Sequence, residues 1–409
     1  MTTVISSLTR IIRSSRVYVG VCASAVSSLG TFAISISIAR TVDIRELGTF
    51  AIAFSTYAFF IGLNRALVCE PMLTMNVSNK HLRRFARRGS LTGGASSLVT
   101  IASGLALSMD YLTIVGLTLH GLTIYDYMKT INLAALNKRP ALLQETSWFI
   151  TSIAIGLLII SGNVSAIAGF AIWAGSGAAI GYLIAFHHSL QLNPRWDKTE
   201  VHSRTAFAFG GDYVIGVGSA QITYNLTGVV AGLPVIGALR AGSTLLGPIG
   251  LIINSSRSLA IPFLARSLRA GRGKAQSDAV AGTIAIGTFV VPFFLVVVFL
   301  PNEIGEFFLG TNWPHAQPLL PFLALETAVT ALTTIPFAGL RAMLAGRTTI
   351  VLRTAIAVVR VLVVVLAAKQ AGALGAAISL AIVSIMGAIV WWTGYLLQLK
   401  KKAALEIKS

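Results

Sequence analysis

Apolar runs of bilayer length recur along this chain with only short polar segments between them, and that recurrence leaves few folds open. The runs fall at about 17–39, 46–68, 89–109, 111–136, 141–161 and 164–187. After the polar stretch 187–204 they continue at about 206–232, 235–262, 279–300, 316–340, 349–368 and 372–397. Each is near the ~20 residues an α-helix needs to cross hydrocarbon. A chain in hydrocarbon must satisfy its backbone polar groups internally, so such runs become helices. The expected fold is an all-α polytopic membrane protein with about twelve transmembrane helices. A mean hydropathy of +0.78 with only 11% charged residues agrees.

The basic residues report orientation. With a cytoplasmic N-terminus, the inner segments hold 24 Lys and Arg, and the outer ones hold only Arg40, Arg45 and Lys369. That asymmetry follows the excess of positive charge on cytoplasmic loops, so both termini are expected inside a multi-pass cell (plasma or inner) membrane protein. The net charge of +18 is spread over those loops, and no nucleic-acid partner is expected. Cys22 and Cys69 lie in or beside apolar segments and supply neither a disulfide framework nor a metal set, and no cofactor is implied. In residues 1–16, Val4, Ile5, Leu8, Ile11 and Ile12 share a helical face beside Arg10 and Arg13, which reads as a basic interfacial N-terminus.

A weak internal repeat divides the chain. RVYVGVCASAV from Arg16 matches DYVIGVGSAQI from Asp212, and Gly48 to Pro71 is spaced much like Gly237 to Pro262. Six spans is an even number, so the halves share one orientation and relate by a pseudo-twofold axis along the membrane normal. The expected domains are an N-terminal lobe at 17–187, a cytoplasmic linker at 188–205, a C-terminal lobe at 206–397 and a basic cytoplasmic tail at 398–409. Pro248, Pro292 and Pro336 fall inside helices of the second lobe, where a missing backbone donor bends the helix.

Eight charged side chains fall within the spans: Arg65, Asp126, Lys129, Asp212, Arg240, Arg257, Glu326 and Arg360. A central arginine costs about 2.5–3.5 kcal/mol on insertion scales, so each needs a partner or water. Arg65 and Arg257 lie near inner helix ends, from which a long side chain reaches the surface. Asp126 and Lys129 stand three residues apart and are placed to neutralise each other on one helix. Glu326 and Arg360 suit an ion pair between neighbouring helices. Arg240 has no acid at helical spacing. The excess of cations points to an anionic ligand, above all a phosphate, which arginine grips with several donors. The cavity candidates are Arg240, Arg360, Lys129 and Arg65, and Asp126, Asp212 and Glu326 are candidates for coupling to an ion. No nucleophile triad, metal cluster or phosphate-cradling glycine loop is present, so no catalytic residue is expected and the chain does not read as an enzyme.

Three stretches, IARTVDIRELGTFAIAFSTYAFFIGL at 38–63, VIGALRAGSTLLGPIGLIINSSRSLAIPFLARSLRAGR at 235–272 and LPNEIGEFFLGTNWPHAQPLLPFLAL at 300–325, resemble the Wzx-type O-antigen and polysaccharide flippases. These form the polysaccharide branch of the multidrug/oligosaccharidyl-lipid/polysaccharide (MOP) exporter superfamily. The resemblance implies two six-helix lobes around a cationic cavity, export of a polyprenyl-(pyro)phosphate-linked oligosaccharide by alternating access, and a cavity arginine at Arg240. Membrane lipids, a polysaccharide polymerase and glycosyltransferases are the partners such a pathway implies. A drug or cation antiporter of the same superfamily is the first alternative, although its cavity should be acidic and aromatic. A membrane-embedded glycan polymerase or ligase is the second, although no long outer loop is present to hold an acceptor.

Overall fold

The computed structural model describes residues 15–73, 79–134, 138–197 and 203–406, so residues 1–14 of the expected interfacial N-terminus lie outside the described residues. Among the described residues every regular element is helical. The first half holds α1 (Ser15–Thr41), α2 (Ile44–Leu73), α3 (Asn79–Ala106), α4 (Asp110–Ala134), α5 (Lys138–Ile160) and α6 (Ala166–His187). In the second half α7 runs as Ser203–Tyr213, a π turn at Val214–Gly218, and Ser219–Ala231. Helix α8 is Leu233–Leu245 continued by Gly247–Arg269, and α9 is Arg272–Val298. A short α10 (Asn302–Leu309) lies in the 301–315 connection, and α11 is Leu320–Leu332 continued by Thr334–Ala342. The last helical stretch, Gly346–Glu406, is two helices, α12 and α13, parted at Ala371 and at Gly372, whose φ of 62° glycine adopts without strain.

Leaving out α10, these are the twelve rods expected. Seven stretches among the described residues are long and apolar enough to cross a membrane by length and composition alone. The last of them, Gly346–Lys402, holds 57 residues and covers two crossings. The rods that fall short carry polar residues (α3, α4) or a backbone break (α7, α8).

Several boundaries differ from the sequence reading for one reason: hydropathy senses the solvent, whereas helix formation does not need an apolar one. Helix α3 starts at Asn79, ten residues before its apolar run, and takes in the basic segment around Arg83–Arg88. Helix α9 starts at Arg272 rather than near 279. The prolines also act differently from one another. Pro292 sits inside α9, whereas Pro248 and Pro336 fall in the first turns of helices that restart after Leu246 and Thr333. At a first turn the missing N–H has no intrahelical partner to lose.

The chain contacts divide into two units. The first comprises residues up to Val42 and Thr49–Gln221, and the second comprises Asp43–Gly48 and Ile222–Ser409. In the first unit α4 packs on α3 and α6, and α1 packs on α5. Small residues let the backbones approach: a Cβ on Gly181 would stand 2.6 Å from the Gly121 carbonyl oxygen. Trp148 and Trp173 stack at 4.9 Å in the core. Trp148 Nε1 donates to the Trp173 carbonyl and Trp173 Nε1 donates to Ser152 Oγ, each at 3.0 Å. Both indole donors are thereby satisfied, as burial demands.

The segment after α6 folds back on α3. Arg88, only 1% exposed, donates from Nε (2.9 Å) and Nη2 (2.5 Å) to the Asp197 carbonyl and lies 4.7 Å from the Trp196 ring. The Asp197 carboxylate meets Arg87 at 3.3 Å and Arg195 at 3.1 Å.

In the second unit α11 packs on α8, α9 and the last two helices. Tyr395 donates to the Ala275 carbonyl at 3.0 Å, and Asp278 takes Lys274 at 2.8 Å and the Ser267 hydroxyl at 2.6 Å. The start of α2 belongs to this unit because it crosses the start of α8 with no side chain between them. A Cβ on Gly48 would collide with the Leu233 carbonyl oxygen, and one on Gly237 would collide with the Ile44 carbonyl oxygen. Each glycine meets the carbonyl four residues before the other. That reciprocity matches the pairing of Gly48 with Gly237 in the sequence repeat.

Candidate functional site

Two polar clusters stand on the membrane helices. The first rests on a π turn, Arg65–Cys69, which widens α2 by one residue and re-aims the side chains beyond it. Arg65 leads this turn. Its Nε donates to Asp126 Oδ2 at 3.1 Å, and its Nη2 makes a second short bond to Oδ1. The side chain of Arg65 is 48% exposed, that of Asp126 only 8%. Arg65 does not simply reach for the surface, as its place near a helix end suggested. The bidentate carboxylate of α4 satisfies it where it stands.

Lys129, one turn along α4, pairs with Glu145 of α5, Nζ to Oε1, at 3.1 Å. Tyr125 donates to the same Glu145 oxygen at 3.0 Å, and Gln144 Nε2 donates to the Tyr125 carbonyl at 2.8 Å. The expected pairing of Asp126 with Lys129 within one helix is therefore not what forms. Each turns to a neighbouring helix, where an oppositely charged group can be met head-on and both charges hold the bundle together. Glu145 escaped the sequence reading: it lies one turn into the apolar run of α5, and nothing local marks it. Its side chain is fully buried, and Oε2 has no hydrogen-bond partner among the described residues.

The second cluster lies in unit 2. Arg360 Nη2 donates to Glu326 Oε1 at 3.2 Å, which joins α12 to α11 as the sequence suggested. Glu326 Oε2 stands 3.3 Å from Thr327 Oγ1. Tyr224 of α7 shares a hydrogen bond of 2.8 Å with Ser243 of α8 and lies within electrostatic reach of Arg240, Glu326 and Arg360. Arg240 is half-buried one turn before Ser243, and its carbonyl accepts from Thr244 Oγ1 at 2.8 Å. Tyr224 and Ser243 were not among the residues singled out from sequence as site candidates with Arg240. Asp212 stands half-buried at the end of the first segment of α7, in unit 1.

The balance of charge differs between the clusters. Arg65 and Lys129 meet Asp126 and Glu145 one for one, whereas in the second cluster Arg360 meets Glu326 and Arg240 stands with them around Tyr224. Among these residues the second cluster keeps a net positive charge, and in a low-dielectric surround that favours an anionic guest. No group of His, Cys, Asp and Glu with metal-binding arrangement occurs among the described residues.

Comparison with known proteins bears on the fold. No protein family model matches the chain, and no curated protein matches it significantly. Solved structures do. One, described as lipid II flippase MurJ in an inward closed conformation, superposes with a TM-score of 0.71 at 14% identity over 94% of this chain and 89% of the other. A multidrug resistance MATE family transporter of the MOP superfamily, inward-facing, gives 0.69 at 13% identity over 94% and 96%. A MOP superfamily transporter from Pyrococcus furiosus Vc1 (DSM3638), whose binding pocket is described as reversed in polarity, gives 0.58 at 11% identity over 95% of each chain. The protein is a multi-pass membrane protein with the two-lobe, twelve-helix fold of MOP transporters.

Proposed function

We propose that this protein is a flippase of the polysaccharide branch of that superfamily. It moves a polyprenyl-(pyro)phosphate-linked oligosaccharide across the cell membrane by alternating access, for cell-surface polysaccharide synthesis. The observation that carries the reading is a pair of arginines on the membrane helices of unit 2, Arg360 bonded to Glu326 and Arg240 within electrostatic reach of the same Tyr224. Arginine suits a phosphate because it offers several donors in one plane. The likeness to a lipid II flippase, in which the cargo is also a lipid-linked saccharide, supports it. Arg65 and Lys129 are auxiliary cavity cations in this reading, and Asp126, Asp212 and Glu326 are the groups through which an ion would couple. Both termini lie in the cytoplasm, and a polymerase and glycosyltransferases are its partners on the same lipid. The MATE likeness supports a drug or cation antiporter as the second reading.

Deleting the gene separates the two. Lipid-linked oligosaccharide accumulating in the inner leaflet supports the flippase, and normal glycan export with raised drug sensitivity supports the antiporter. In the flippase, Arg240→Ala is expected to lower export about tenfold or more at unchanged abundance, the scale of a lost charged hydrogen bond of roughly 1.5–3 kcal/mol. Arg240→Lys should keep part of it. Abundance falling in step with export would make Arg240 a packing element and remove it from the site.

A further inference from the structure

Between two spans of unit 2 lies a helix too short to cross a bilayer. Helix α10 has eight residues, about 12 Å of length, and its side chains divide into three flanks. Gly305 and Leu309, four residues apart, are buried. A Cβ on Gly305 would collide with the Trp313 ring, so that ring lies against the α10 backbone. Asn302 Oδ1 accepts from Trp313 Nε1 at 3.1 Å and from Gln317 Nε2 at 2.9 Å. These contacts fix which way the helix faces. Glu303 and Glu306, three residues apart, form an exposed acidic flank. Ile304 and Phe307, also three apart, form an exposed apolar one at 43% and 62% exposure.

The neighbouring span shows what covers that apolar pair. Helix α9 is long and apolar enough to cross a membrane, and Ile284, Val291, Leu295 and Phe299 stand exposed at spacings of seven and four residues. Such spacing puts them on one side, the pattern of a face turned to lipid. The stripe ends at Phe299, three residues before Asn302, and three residues reach about 11 Å at most. Helix α10 therefore begins where the lipid-facing side of α9 leaves the hydrocarbon.

We propose that α10 lies flat in the headgroup zone of the outer leaflet, with Ile304 and Phe307 seated at the top of the acyl chains and Glu303 and Glu306 turned to water. It thereby holds the link between α9 and α11 at a fixed depth. A deeper position would put two carboxylates in hydrocarbon, and a position in bulk water would leave the apolar pair wet. The outer side follows from the cytoplasmic termini proposed above, and the seating itself holds for flippase and antiporter alike. Interfacial helices commonly add a basic face that draws anionic lipid. Here the polar flank is acidic, so apolar contact alone seats the helix.

The test uses the full chain carrying Cys22→Ala and Cys69→Ala, reconstituted in phosphatidylcholine vesicles. Spin labels go on Glu303→Cys, Ile304→Cys, Glu306→Cys or Phe307→Cys, one at a time, and their collisions with oxygen and with a water-soluble nickel chelate report depth. Labels at 304 and 307 are expected about 5–10 Å into the boundary of headgroups and acyl chains, and those at 303 and 306 at its aqueous edge. Vesicles with added phosphatidylglycerol should give the same depths. Four labels equally open to nickel overturn the proposal, as do labels at 304 and 307 closed to both reagents, which would mark a protein contact. Deepening with phosphatidylglycerol overturns seating by apolar contact alone. The unlabelled wild-type chain supplies a second measurement that no substitution can disturb. A phospholipid with a photoreactive diazirine near its glycerol should capture the peptide holding Ile304 and Phe307, and failure to capture it overturns the proposal.

Discussion

Replacing Glu145 with alanine is expected to strip most of the protein from the membrane, measured as abundance in a mild detergent extract. The Glu145 side chain is fully buried and that of Lys129 is 15% exposed. Alanine would leave the Lys129 ammonium without its counter-charge. Breaking a buried pair by removing one partner costs about 3–5 kcal/mol. Domains commonly have only about 5–15 kcal/mol of stability in total, so this is a large share. The double variant Lys129→Met with Glu145→Leu removes both charges and keeps the volume, and it is expected to restore abundance, since apolar replacements of buried pairs are often neutral or better. A double variant as scarce as the single one would show that Glu145 is needed for something other than answering Lys129.

Leucine at Gly237 should produce the second large effect, a lower melting temperature together with loss of export. The clash at this position is with backbone, the Ile44 carbonyl, so no rotamer relieves it and the starts of α2 and α8 must separate. Overpacking typically costs about 1–3 kcal/mol, and more where neither side yields. Gly48→Leu meets the Leu233 carbonyl in the same way and should behave alike. Because both substitutions break one contact, the double variant should lose clearly less than the sum of the two. Wild-type stability and export in Gly237→Leu would mean the two helices do not touch there.

Much of the architecture was legible in the sequence because hydrocarbon allows so few ways to arrange a backbone. The runs alone led to twelve rods, whereas the contact of Gly48 with Gly237, aligned in the sequence only as corresponding positions of a repeat, was not foreseen. The restart of α8 was foreshadowed by Pro248. The charge partners were less readable. Asp126 and Lys129 look like a self-sufficient pair on one helix until α2 and α5 bring Arg65 and Glu145 against them, and those approaches are set by packing over distances no local pattern records. Glu326 and Arg360 could be anticipated because each lies in mid-helix on a neighbouring rod with no alternative nearby. The π turn at Arg65–Cys69 has no glycine or proline to announce it and arises where α2 meets its surroundings.

That π turn also affects how this chain is compared with others. Its five-residue loop of hydrogen bonds inserts one residue into α2, so everything from Glu70 onward, including Pro71 and the buried Met72, is rotated by about 100° relative to an uninterrupted helix. A homologue lacking the insertion would present the same side chains with one letter fewer, and an aligner that refuses a gap there would match each of them to the wrong face.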